Sequence, residues 1–174
     1  MIEAVADVVV VVFVCTAAWW DFNTHRIPNT ITVAGLAAAL ILRAPFGVDA
    51  VVQGLAGLGI ALVVSVMLYA LRAIGGGDVK LLAGVGAFLG STEIAGALGL
   101  IAVLGAAFAL LSMVRKGVLP LLIFNTLDLA KSWRSLGQRG QLRKLESAGA
   151  LTIPYAVPIA LGTLTWWFGR GVRL

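Results

Sequence analysis

The chain is a series of apolar runs separated by short polar punctuation, and the lengths of the runs predict helices that cross a bilayer. The first run, about Val5 to Trp20, ends in Trp19-Trp20, an aromatic pair suited to a membrane interface. A polar loop from Asp21 to Asn29 follows. Within it Pro28 stops any helix, and Asn29 or Thr30 can cap the next one. That second helix, about Thr30 to Leu42, is short for a full span, and a loop from Arg43 to Asp49 leads to a third, about Ala50 to Leu71. Residues 79–114 form a nearly continuous apolar run broken only by Lys80 and by Ser91-Thr92-Glu93. One straight helix of that length would measure ~54 Å at ~1.5 Å per residue, too long for a single crossing. The polar triplet is therefore the expected turn between a short helix 4, about 79–90, and a full helix 5, about 94–114. Helix 6 is expected from about Leu151 to Phe168. The pattern predicts an all-α integral membrane protein of six transmembrane helices in a single domain.

Residues 115–149 break this pattern. Seven of the chain's 13 Lys and Arg residues fall there, and Leu129, Trp133 and Leu136 recur at helical spacing. A basic amphipathic segment on the membrane surface or a solvated basic loop would each account for it. Ten basic residues lie in the odd-numbered loops and three on the other side. By the positive-inside rule, both termini are then external, and Asp21 and Asp78 lie at the cytoplasmic face.

Composition supports a membrane setting and narrows the chemistry. The 174 residues are 60% hydrophobic and 12% charged, with a mean hydropathy of +1.02. Soluble domains carry roughly 25% charged residues. The bilayer accounts for the basic balance without nucleic acid. Glu3 and Asp7 stand where a cleaved signal peptide would be basic, so the first helix reads as retained. With one cysteine, Cys15, and one histidine, His25, neither an intramolecular disulfide nor a zinc centre is expected. No serine has a histidine in its segment, which argues against a serine hydrolase.

The chemistry concentrates in Gly75-Gly76-Gly77-Asp78-Val79-Lys80. A carboxylate at a membrane edge is costly and marks a functional site. Glycine permits positive φ and close approach of another chain, and a helix N-terminus favours an ionised Asp78. An ordinary glycine turn with Asp78 as N-cap is the simpler alternative. The stretch lacks the spaced Gly-Lys-Ser/Thr ending of a phosphate-binding loop. A short helix 4 of ~18 Å would hold Asp78 below the membrane surface. Asp21 falls at a similar depth, although a separation of 57 positions does not by itself bring the two together. Two adjacent carboxylates cannot both ionise cheaply, so one can accept a proton from water while the other donates to a leaving amine. Gly86-x-x-x-Gly90 provides a face for tight helix packing.

Three stretches together resemble the type IV prepilin peptidases, membrane aspartic proteases with a Gly-x-Gly-Asp motif. They are Asp21 with Arg26-Ile27-Pro28-Asn29, the motif through Leu81, and Ile153-Pro154-Tyr155-Ala156-Val157-Pro158 with Gly162. The resemblance implies that Asp21 and Asp78 are the catalytic pair, working without metal or cofactor. It also implies cleavage of a prepilin leader at the cytoplasmic face of the inner membrane. Gly75, Gly76, Gly77, Lys80, Arg26, Pro28, Asn29 and Pro154 would shape the site or bind substrate. Larger members carry a paired-cysteine insert and methylate the new N-terminus. This chain has no such insert and looks most like the short peptidases of tight-adherence (Flp-type) pilus systems, so cleavage without methylation is expected. Pilus assembly components are possible partners. A small ion-coupled transporter using the same aspartates, or an assembly scaffold acting through its basic loop, are the competing readings.

Overall fold

The computed structural model describes residues 1–115 and 154–172, and within them the fold is all-α. The helices are α1 (Ile2–Thr24), α2 (Asn29–Arg43), α3 (Val48–Ala70), α4 (Gly76–Arg115) and α5 (Ala156–Arg170), with a 3-10 turn at Ala44–Phe46. Among the described residues, four helices are long and apolar enough to cross a membrane: α1, α2 continued to Phe46, α3 and α4. The basic segment 115–149, apart from Arg115, and the expected start of helix 6 at 151–153 lie outside the described residues. One compact unit holds residues 1–106 and α5; a second begins at Ala107 and is described only along the end of α4, to Arg115.

Several boundaries differ from the sequence expectation. α1 runs four residues past Trp20, because its last carbonyls find local donors. The Asn23 and Thr24 side chains donate to the carbonyls of Trp19 and Trp20 at 2.7 and 2.8 Å, and His25 closes the end in a left-handed conformation. Asp21 is thus inside a helix rather than at the start of a loop. Pro28, in extended conformation, is the residue before α2, and neither Asn29 nor Thr30 acts as its side-chain cap. The 3-10 turn extends α2 to 18 residues, Asn29–Phe46, which removes its apparent shortness. Arg43, expected in a polar loop, ends α2 and is 3% exposed.

α4 is interrupted where a turn was expected, but at Gly90 rather than at Ser91-Thr92-Glu93. Gly90 has φ 75° and ψ 175°, a conformation that side-chain-bearing residues rarely adopt, so the glycine takes the break and the polar triplet continues the helix. The first arm, residues 76–89, is the centre of the unit: between Asp78 and Gly90 only Lys80 is exposed. Phe88 on this arm lies 5.7 Å from Phe13 of α1 and meets Trp167 of α5 edge-on at 6.4 Å. Asp7, a carboxylate within apolar α1, accepts a 2.7 Å hydrogen bond from Trp167 Nε1. Glu93 likewise accepts from Trp166 Nε1 at 2.8 Å, with Arg170 3.8 Å away.

α3 packs on the first arm backbone to backbone. A Cβ on Gly57 would land on the Gly86 carbonyl and 2.7 Å from the Gly90 Cα. Gly57→Val is therefore expected to destabilise the protein by about 1–3 kcal/mol through overpacking. Thermal unfolding in detergent would measure it, and an unchanged midpoint would contradict the contact.

Candidate active site

The end of α1, the starts of α2 and α4 and the loop residues that precede those two starts build a polar pocket of about 350 Å³. Its lining includes both aspartates, Asp21 from the last turn of α1 and Asp78 from the first turn of α4, which are 7% and 8% exposed. Residues 57 positions apart thus share one cavity, which the sequence could not establish. The Asp21 carboxylate lies close enough to Asp78 to act on it electrostatically.

Each carboxylate is held by a backbone N–H at a helix start. Asp78 is not the N-cap of α4 but its third residue. Its Oδ2 accepts from the Gly75 N–H at 3.0 Å, while the Gly75 carbonyl accepts from the N–H groups of Asp78 and Val79. This is the carboxylate half of a capping box, with Gly75 as the cap. Asp21 Oδ2 accepts from the N–H of Ala156, the first residue of α5, at 3.2 Å. α5 therefore takes part in the site through its backbone. A main-chain donor carries no side-chain signature, so Ala156 was not among the expected site residues, although its stretch, Ile153 to Pro158, carries part of the family resemblance.

The three motif glycines do not use the left-handed freedom expected of them, since none has positive φ. Space explains two of them. A Cβ on Gly77 would stand 3.3 Å from Ile27 Cβ, and one on Gly75 would stand 3.3 Å from the Asp78 carboxylate. Gly76 is open apart from Tyr69 at 3.8 Å. All three line the pocket.

Lys80 and Asn29, both pocket residues, are joined: Lys80 Nζ donates to Asn29 Oδ1 at 2.7 Å. Asn29 thus ties the start of α2 to α4 in place of the capping role expected of it. Arg26 and His25 also line the pocket and are exposed, and Arg26 with Lys80 gives its rim positive charge. Pro28 and Pro154 do not line it: Pro28 precedes α2, whose Asn29 does, and Pro154 precedes α5, whose Ala156 N–H reaches Asp21, while the Pro154 carbonyl accepts from Val157. Ile27, quoted in the Arg26–Asn29 stretch but not among the expected site residues, also lines it. Among the described residues, no group of three His, Cys, Asp or Glu side chains could hold a metal ion.

Two nearly buried aspartates facing one polar pocket in a multi-pass helical chain define a class of membrane protein with a paired-carboxylate site. The model of the type IV leader peptidase family matches residues 8–110, a stretch that contains both aspartates, and the chain belongs to that family. Neither a curated protein nor a solved structure matches the chain.

Proposed function

We propose that the protein is a membrane aspartic endopeptidase that removes the leader of a type IV or Flp-type prepilin without methylating the product. The observation that carries this reading is the shared pocket of Asp21 and Asp78 in a chain of the leader peptidase family. The ionised carboxylate takes a proton from water as the water oxygen bonds to the scissile carbonyl. The protonated one donates to the leaving amine as the C–N bond breaks. The apolar runs support six crossings within a single peptidase domain, the distribution of Lys and Arg supports both termini outside and the dyad at the cytoplasmic face, and the family reading supports the inner membrane.

The rim cations supply the expected contacts to the substrate chain around the scissile bond. Lys80→Ala is expected to lower kcat/KM several-fold without abolishing turnover; full activity would leave Lys80 as an interfacial anchor only. The test of the function itself is a cleavage assay in proteoliposomes with a prepilin encoded in the same genome, following the mass of the product N-terminus. A shortened, unmethylated product is the expected result. An intact prepilin would overturn the protease reading, and a methylated product would overturn the cleavage-only reading.

A further inference from the structure

The hydrogen bond from Ala156 N–H to Asp21 Oδ2 depends on the height at which α5 begins, and side chains packed between α5 and α4 beyond Gly90 set that height. The two helices meet at three glycine notches. A Cβ on Gly96 would land on the Trp166 ring, and one on Gly162 would meet Ile101. One on Gly105 would land on the Tyr155 hydroxyl and 2.6 Å from its Cζ. The α4 partners fall from 105 through 101 to 96 as the α5 partners rise from 155 through 162 to 166, so the helices run antiparallel with their register held at each notch. Trp166 is ~15 Å of helix away from Ala156 at ~1.5 Å per residue, whereas Tyr155 is bonded to it.

Tyr155 is fixed at both its main chain and its side chain. Its carbonyl accepts from the Ile159 N–H at 3.3 Å, and the N–H of the same planar peptide unit, that of Ala156, donates to Asp21. The half-buried phenol fills the Gly105 notch and lies close enough to the Asp78 carboxylate to feel its charge. At 3.2 Å the bond to Asp21 is at the long end of the N–H···O range, so a slip of ~0.5 Å at the start of α5 would lose it. A ring seated against bare backbone, with no opposing side chain to yield, resists such a slip.

We propose that Tyr155 is a positioning residue for Asp21: its phenol, seated against Gly105, holds the first turn of α5 where the Ala156 N–H meets the carboxylate. The inference rests on the peptidase reading and adds to it a residue that does not itself line the pocket.

Steady-state prepilin cleavage by the full-length protein in proteoliposomes, with rates per folded enzyme, tests the proposal. Tyr155→Leu is expected to lower kcat about tenfold with KM little changed, the signature of a misplaced catalytic group. Gly105→Ala puts a methyl where the phenol sits and should do the same, while Gly99→Ala, with open space around its new methyl, should not. Because the shorter leucine makes room for that methyl, Gly105→Ala with Tyr155→Leu should recover to within about threefold of wild type, a non-additivity expected of residues in contact. Tyr155→Phe keeps the ring and should lose less than Tyr155→Leu. On an Asp21→Asn background, Tyr155→Leu should cost nothing further, since the group it positions no longer transfers a proton. A wild-type kcat in Tyr155→Leu, or a raised KM with kcat intact, would overturn the proposal. So would additive losses in the Gly105–Tyr155 pair, a phenylalanine variant as slow as leucine, or a further loss on the Asp21→Asn background. If Gly105→Ala did not fold, Tyr155→Leu with and without Asp21→Asn would still decide it. An unsubstituted protein that cleaved no prepilin would remove the peptidase reading and this role with it; cleavage indifferent to Tyr155 removes the role alone.

Discussion

Asp21→Asn and Asp78→Asn are each expected to lower prepilin cleavage by about 10³-fold, within the ~10²–10⁴ range of general acid–base catalysis. Asparagine keeps the shape of aspartate and one side-chain oxygen, so the hydrogen bonds from Ala156 N–H to residue 21 and from Gly75 N–H to residue 78 can persist. The fold should then survive in both variants, and comparable abundance in membranes provides the check. What disappears is the pair's ability to take up one proton and deliver another. Under the proposed mechanism the two carboxylates act as one unit, so the double variant should be scarcely slower than either single variant. Product mass from time courses with wild type and the three variants measures this. Unimpaired cleavage by either single variant would remove that aspartate from catalysis, and multiplicative losses in the double variant would contradict a shared step.

The candidate pair was legible in the sequence for a physical reason. A carboxylate inside an apolar chain is costly enough to need a purpose, and Asp21 and Asp78 both flank apolar runs at a similar predicted depth. The broad helical pattern was legible too, because lipid forces long apolar runs into helices. The boundaries were harder. α1 outran its apolar stretch because Asn23 and Thr24 turned their side chains back onto its carbonyls. The break in α4 fell on Gly90 and not on the polar triplet, because backbone conformation decided it and polarity did not; Glu93 instead found Trp166. What the sequence withheld were tertiary contacts to main-chain atoms. The Ala156 N–H at Asp21 and the backbone packing of Gly57 on Gly86 are made by groups that every residue has. Arg43 misled for the opposite reason, since an arginine beside a proline and a glycine reads as loop.

That arginine yields the second large effect. The break at Gly90 ends the helical hydrogen-bond ladder, leaving carbonyls in the last turn of the first arm without the N–H partners that a continuous helix would provide. Arg43 meets two of them, with Nε donating to Ala87 at 2.9 Å and Nη2 to Phe88 at 2.8 Å, while Nη1 donates to Ala50 near the start of α3 at 3.1 Å. Inside a membrane, water cannot easily take over these duties. Arg43→Met is therefore expected to destabilise the protein by about 2–6 kcal/mol, at ~1–3 kcal/mol for each carbonyl left unsatisfied in the α4 turn. Lysine has the charge but not the planar fork that reaches three acceptors, so Arg43→Lys should fall between methionine and wild type. Thermal unfolding in detergent measures the loss, and a methionine variant as stable as wild type would refute the assignment. The same contact bears on the active site. α2 is tied to the first arm of α4 at both ends, by Asn29 to Lys80 beside the dyad and by Arg43 at the break. Releasing the far tie leaves the axial position of Asp78 to the near one, so the folded fraction of Arg43→Met should bind prepilin with little change in KM but turn it over more slowly.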